Sequence, residues 1–163
     1  MKTLILIRHA KSDWDHPEAS DYERTLNKRG LHDAPEMGHR LAGRKLLPEL
    51  FTASTAVRAR MTAELIARAM GYPEAQLLWR DELYLAAPAT MLDIIRSTPD
   101  TVGTLALLAH NPGISELVER LTRQPFENIP TAGVVTLTAQ IDHWREAGQR
   151  WQMQDFDFPK HLQ

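Results

Sequence analysis

A three-layer α/β/α sandwich around a mostly parallel central sheet is the fold this sequence predicts. Three observations carry the expectation. Short apolar, strand-like runs alternate with helix-periodic stretches; the runs at 3–7 and 101–109 are almost continuously apolar, as strands covered on both faces are; and several runs end in a polar cluster. The 163 residues fit one domain, residues 1–163, because a core of this size buries roughly two thirds of the unfolded chain's surface.

Thr3–Ile7 reads as the first strand, stopping at a polar loop, Arg8 to His16. Leu31, Ala34, Met37 and Leu41 recur at helical spacing within about 26–46, and Pro35, which denies one backbone bond, is expected near a helix start or a kink. Leu50–Ala53 is a second strand. Ser54 and Thr55 offer hydroxyl caps to a helix from about Val57 to Met70, ended by Gly71 and Pro73. Gln76–Trp79 gives a third strand, and Pro88 opens a helix Ala89–Arg96, where its missing N–H would be unpaired anyway.

Thr101–Ala109 is the fourth strand, with His110 and Asn111 at the turn and Pro112-Gly113 leading into helix Ile114–Arg123. Val134–Ile141 and Arg150–Gln154 alternate apolar with polar residues and read as terminal strands, joined by a turn around Glu146-Ala147-Gly148. Trp144 and Trp151 are assigned to the core; Phe156 to Phe158 suit core or contact surface, and the tail Asp155–Gln163 has no clear period. Ligands of open α/β sheets bind beyond the strands' carboxyl ends. Arg8-His9, Ser54 to Arg58 and His110 all follow predicted strands at that end, so distant residues converge on one site.

Composition narrows the chemistry. With no cysteine the chain forms no internal disulfide and no thiolate metal site, which suits a reducing compartment. A formal charge of −2 supplies no basic field for nucleic acid. The apolar run Leu4–Ile7 is too short for a signal-peptide core or a membrane span, so a soluble, cytoplasmic protein without a membrane partner is expected. Neither a G-x-x-x-x-G-K-[ST] nor an H-E-x-x-H pattern occurs, and the seven histidines are dispersed, His32 and His39 on a polar helix face; no metal site is expected.

Four stretches stand out: Arg8-His9-Ala10-Lys11-Ser12, the segment from Asp21-Tyr22-Glu23-Arg24 to Gly30, Ser54-Thr55-Ala56-Val57-Arg58-Ala59-Arg60-Met61-Thr62-Ala63-Glu64, and His110-Asn111-Pro112-Gly113. In this order they resemble the histidine phosphatase superfamily, of phosphoglycerate mutase-like fold, and within it the SixA-type phosphohistidine phosphatases. Thr55 stands where the family often has Pro, Met61 where it often has Gln and Ala109 where it often has Gly. The resemblance covers most of the chain and fades after Thr138. It implies that His9 becomes phosphorylated and that Arg58 binds phosphate. Arg60 reads as a surface helix residue. The simpler reading of the 21–30 stretch is that Arg24 and Arg29 pair with nearby acids and Gly30 permits a turn.

These residue types suit phosphoryl transfer. Imidazole, with an ordinary pKa near ~6.5, is largely neutral at pH 7 and needs no separate base to act as a nucleophile. Arg8 and Arg58 would grip phosphoryl oxygens with planar forks of donors and disfavour the imidazolium form of His9. His110 is expected to complete the ring of donors as an imidazolium. Lys11, Ser12, Arg24 and Asn111 are further substrate-binding candidates. Glu82 is the candidate acid for the leaving group, its alternative being a solvated carboxylate beside Arg80. No cofactor is required.

The short stretch from Asp81 to Thr101 leaves little chain for a lid. An open mouth suits a phosphohistidine displayed on a protein, of phosphotransfer or phosphocarrier type, and points to a role in signal transduction. Two other readings stand beside this one: a phosphatase for small phosphomonoesters such as sugar phosphates, and a phosphoprotein-binding module that uses the same clamp without turnover.

Overall fold

The computed structural model describes residues 1–14 and 18–160. Its strands are β1 (Lys2–Arg8), β2 (Leu50–Ser54), β3 (Leu78–Arg80), β4 (Thr104–Ala109), β5 (Val134–Ala139) and β6 (Gln152–Asp157). Its helices are α1 (Lys28–Gly43), α2 (Val57–Met70), α3 (Pro88–Arg96) and α4 (Gly113–Thr122). The strands form one sheet in the order β3-β2-β4-β1-β5-β6. The first four run parallel, while β5 pairs antiparallel with both β1 and β6.

The period-2 alternation of strand side chains explains the three layers. Leu4 and Leu6 of β1 join Leu105 and Leu107 of β4 in a core formed with α3 and α4, where Trp144 and Trp151 are buried. Ile5 and Ile7 join Ala106 and Leu108 on the opposite face, against Met37 and Leu41 of α1 and Ala63 and Ile66 of α2. β1 and β4 are thus covered on both sides, which is why their sequences are apolar without alternation.

Several local expectations need correction. β4 begins at Thr104, and β3 is shifted to Leu78–Arg80 after a 3₁₀ turn over Glu74–Gln76. β6 extends to Asp157, into the segment read as aperiodic; a register shift against Thr136/Leu137 breaks its alternation, and Arg40 and Arg44 hold Asp157 at 3.2 and 2.5 Å. Pro35, expected at a helix start or a kink, lies inside α1, which excludes the start.

Gly30 is helical, so its role is not the expected turn. A Cβ there would lie 2.2 Å from the carbonyl oxygen of Lys11, so Gly30 lets α1 pack directly on the loop after β1. Asn27 caps α1 by accepting from the Gly30 N–H at 2.9 Å. Ser54 and Thr55 do not cap α2 as expected, because both hydroxyls serve other partners. Gly71, at φ +83°, does end that helix in the left-handed conformation.

Candidate active site

β2, β4 and β1 are neighbours in the sheet, and their carboxyl ends deliver Ser54, His110 and Arg8-His9 to one place. The His9 backbone is tied on two sides: its N–H donates to Ala109 at 3.2 Å, and its carbonyl accepts from Ala132 at 3.0 Å. Ala10 N–H donates to Thr62 Oγ1 at 3.0 Å, and Thr62 donates to the Arg58 carbonyl at 2.7 Å, which locks the loop to the first turns of α2. These side chains border a cavity of about 270 Å³, lined by Arg8, His9, Lys11, Ser12, Trp14, Asp21, Arg24, Arg58, Leu85, His110, Asn111 and Thr131. A larger groove of about 1010 Å³ lies along β6 and contains none of them.

His9 is buried, and its Nδ1 lies 2.8 Å from the Ala10 carbonyl. A carbonyl only accepts, so the proton sits on Nδ1 and Nε2 carries the lone pair, which accepts a long bond from Arg58 Nε at 3.4 Å. Burial holds the His9 pKa well below its ordinary value, assisted by His110, Arg58 and Arg8 and opposed by the bond to Ala10. The ring is therefore neutral at pH 7.

His110 lies with its ring centroid 5.1 Å from that of His9 and its Nε2 2.7 Å from Ser54 Oγ. Its Nδ1 is buried and has no hydrogen-bond partner among the described residues. Burial first, then the charge of Arg58, holds its pKa down to about 3. Burial and the neighbouring guanidiniums thus favour a neutral ring over the imidazolium expected from the sequence.

The arginines converge as the sequence suggests. Arg8 donates through Nη1 to the Ile129 carbonyl at 2.9 Å and keeps a buried Nε without a partner among the described residues. Arg58, 2% exposed, donates to the Asp21 backbone carbonyl at 2.6 Å and to Asp21 Oδ2 at 3.0 Å. Arg24 donates to Asp21 Oδ1 at 3.1 and 3.0 Å and to Ser12 Oγ, as the pairing with a nearby acid anticipates. Lys11 is exposed at the mouth. Four cations and one carboxylate line the cavity, a net charge of 4 − 1 = +3 suited to an anionic ligand.

Asp21 and Tyr84 were not singled out from the sequence. Burial alone would raise the Asp21 carboxyl, but hydrogen bonds from Tyr84 at 2.5 Å and from Arg24, with the charge of Arg58, outweigh it and hold the group at about 2. The signal for Asp21 was its spacing of three from Arg24 in the Asp21-Tyr22-Glu23-Arg24 turn.

Two candidates occupy other positions. Glu82 does not line the cavity; it is exposed on a 3₁₀ turn and pairs with Arg80 at 3.0 Å. Its own backbone N–H, then Arg80, lower its pKa, so it is the solvated carboxylate of the alternative reading. Asn111 borders the cavity, but its amide is engaged: it donates to Asn128 and to the Ile129 carbonyl, and accepts from Ser115 at 2.6 Å. It holds the 128–129 loop against α4. In the Lys11 to His16 loop, His16 lies outside the described residues.

Among the described residues no group of three or more His, Cys, Asp or Glu is arranged to hold a metal ion, and no helix is long and apolar enough to cross a membrane.

Comparison with known proteins agrees with this geometry. Residues 4–83, which carry Arg8, His9 and Arg58, match the family model of the histidine phosphatase superfamily (branch 1). An uncharacterised chloroplastic protein of Arabidopsis thaliana is 32% identical over 155 residues, covering 90% of this chain and 70% of the relative. A crystal structure from Agrobacterium tumefaciens, assigned as a phosphohistidine phosphatase SixA, superposes with a TM-score of 0.84 at 30% identity, covering 97% of this chain and 98% of that one. The protein histidine phosphatase SixA complexed with tungstate shares the fold, with a TM-score of 0.82 at 21% identity over 96% of each chain. Motifs, convergent strand ends and full-length similarity thus agree, and the chain belongs to the histidine phosphatase superfamily, branch 1.

Proposed function

We propose that the protein is a metal-independent phosphohistidine phosphatase that acts on phosphohistidine carried by another protein, with His9 as its nucleophile. The observation that carries the chemistry is the bond from His9 Nδ1 to the Ala10 carbonyl, which turns a neutral Nε2 lone pair to the task of attack. In the first step Nε2 forms a bond to phosphorus as the P–N bond to the substrate imidazole breaks. In the second, water attacks phosphorus, the P–N bond to His9 breaks, and inorganic phosphate leaves with His9 restored.

Arg8 and Arg58 hold the equatorial oxygens, whose charge grows in the transition state, and Arg24 assists at the mouth. With Ser54 as donor in its 2.7 Å contact with His110 Nε2, the neutral ring carries its proton on Nδ1 and can offer it to a phosphoryl oxygen. An imidazole leaving group is protonated on its ring nitrogen near neutral pH and needs no carboxylic acid, whereas an alkoxide does. This fits a site in which Glu82 stands apart, exposed and paired with Arg80.

Two further points support a protein-borne substrate: similarity along the whole chain to the Agrobacterium protein assigned as a SixA phosphohistidine phosphatase, and the short 84–87 connection to α3, which adds no helix over the mouth. The reading places the enzyme in the cytoplasm, in phosphohistidine signalling. The test is the hydrolysis of chemically phosphorylated histidine proteins beside a panel of sugar phosphates, with trapping of acid-labile phosphate on the enzyme. Wild type should favour the former in kcat/KM, and His9→Ala should lose both turnover and labelling. A sugar phosphate turned over better than every phosphohistidine protein would assign the enzyme to small phosphomonoesters; binding without turnover would make it a phosphoprotein-binding module.

A further inference from the structure

Two large apolar side chains line the cavity, and both point away from the core. Trp14 is 70% exposed and Leu85 56% exposed, although each borders the same cavity as His9. Neither position follows from folding economy. Leu85 has φ +49°, a left-handed conformation that a bulky side chain rarely adopts. It is held there from both sides. Tyr84 is anchored by its bond to Asp21, and Ala86 is buried where its carbonyl packs against Gly113, so closely that a Cβ on that glycine would lie 2.0 Å away. A strained conformation that exposes an apolar side chain beside a reactive group is the mark of a functional contact.

Trp14 is exposed but not loose. The Arg24 guanidinium stacks on its ring, 3.4 Å from the centroid, and Arg24 is itself tied to Asp21 and Ser12. The stacking biases the indole toward one orientation before any partner arrives, which lowers the entropy lost on docking.

We propose that Trp14 and Leu85 form an apolar rim that docks the protein surface around the phosphorylated histidine, covering apolar side chains beside it while the cationic floor takes the phosphoryl group. This rests on the phosphohistidine reading above and names the part of the site that selects the carrier. A sugar phosphate can lay C–H groups on an indole but offers little aliphatic surface for a leucine side chain to cover. The surface of a protein offers aliphatic and aromatic groups to both. An exposed aromatic side chain is also the residue type that most often dominates a protein interface.

The test compares wild type with Trp14→Ala and Leu85→Asn. Asn tolerates the left-handed conformation better than Leu, so that variant removes the apolar contact without adding backbone strain. The substrates are a panel of small proteins phosphorylated on histidine with phosphoramidate, free phosphohistidine and para-nitrophenyl phosphate. The readout is the ratio of kcat/KM on the best protein substrate to that on free phosphohistidine. Each variant should lower this ratio about tenfold, the loss expected for one interface anchor, chiefly through KM. An unchanged ratio in both variants, with wild type active on the phosphohistidine proteins, would overturn the rim alone. Wild type inactive on every phosphohistidine protein but active on small phosphomonoesters would overturn the substrate reading, and the rim with it.

Discussion

The neutral state of His110 can be tested through stability, without reference to any substrate. The group's pKa is about 3 in the folded protein, pushed there by burial and by Arg58, against about 6.5 in the unfolded chain. A depressed histidine pKa means that the unfolded state takes up the proton first as pH falls. The stabilisation is present above the unfolded pKa and is lost progressively between about 6.5 and 3. Between pH 7 and pH 5 the linkage amounts to about 2 kcal/mol for this one group. His9 shifts in the same direction and adds to the total in wild type and variant alike. His110→Gln should therefore lose about 2 kcal/mol less stability than wild type over that interval, whatever its stability at neutral pH. Urea unfolding at the two pH values would measure this, in buffers free of phosphate and sulfate, since a bound dianion would raise the pKa of His110. Equal losses in the two proteins would show that His110 titrates near its ordinary value, and would restore the imidazolium as the donor in the free enzyme.

Two further predictions separate the carboxylates. Asp21→Asn removes one negative charge from a cavity of net positive charge and loosens Arg58 and Arg24, so kcat should fall about tenfold while inorganic phosphate inhibits about fivefold more strongly, as ~1 kcal/mol of repulsion is lost; weaker phosphate inhibition in a kcat and inhibition titration would make Asp21 purely a positioning group. Glu82→Gln, at an exposed position where the carboxylate pairs with the Arg80 side chain, should leave hydrolysis of phosphohistidine within about twofold of wild type; a loss beyond tenfold in a steady-state assay would return Glu82 to the site.

What the sequence disclosed follows from where the information lies. β1 and β4 were legible because double burial leaves an uninterrupted apolar run; Arg8, His9, Arg58 and His110 were singled out because their motifs resemble the superfamily's, and their meeting at one cavity was legible because each follows a strand's carboxyl end. The second half of β6 was not, because the register shift opposite Thr136 and Leu137 breaks the period on which a strand is recognised. Ser54 and Thr55 looked like helix caps because a hydroxyl before a helix has two competing uses. Only the fold brings His110 to 2.7 Å from Ser54 and Asp81 to 2.7 Å from Thr55. Tyr84 was hidden for a related reason, as its partner Asp21 is 63 residues away in sequence. Contacts of that range leave no local pattern.

Asp21 also bears on why a cavity with three arginines holds together before a phosphoryl group enters. Guanidiniums brought together without an anion repel one another, and their side chains would disperse into solvent. Asp21 counters this by accepting from Arg58, Arg24 and Tyr84 at once, at a pKa of about 2 that keeps it ionised throughout the neutral range. Arg58 and Arg24 are thereby ordered in advance, as Arg8 is by the Ile129 carbonyl, which is the condition for electrostatic catalysis without reorganisation. On the proposed function the same carboxylate would repel an incoming dianion and favour release of phosphate, trading ground-state affinity for turnover. The neutral histidines extend the same logic: had His9 and His110 been charged, the free cavity would hold two more positive charges beside Arg8 and Arg58, and His9 would have no lone pair to offer. Burial holds the pKa of both down, which on the proposed mechanism leaves one ring to attack and the other to donate.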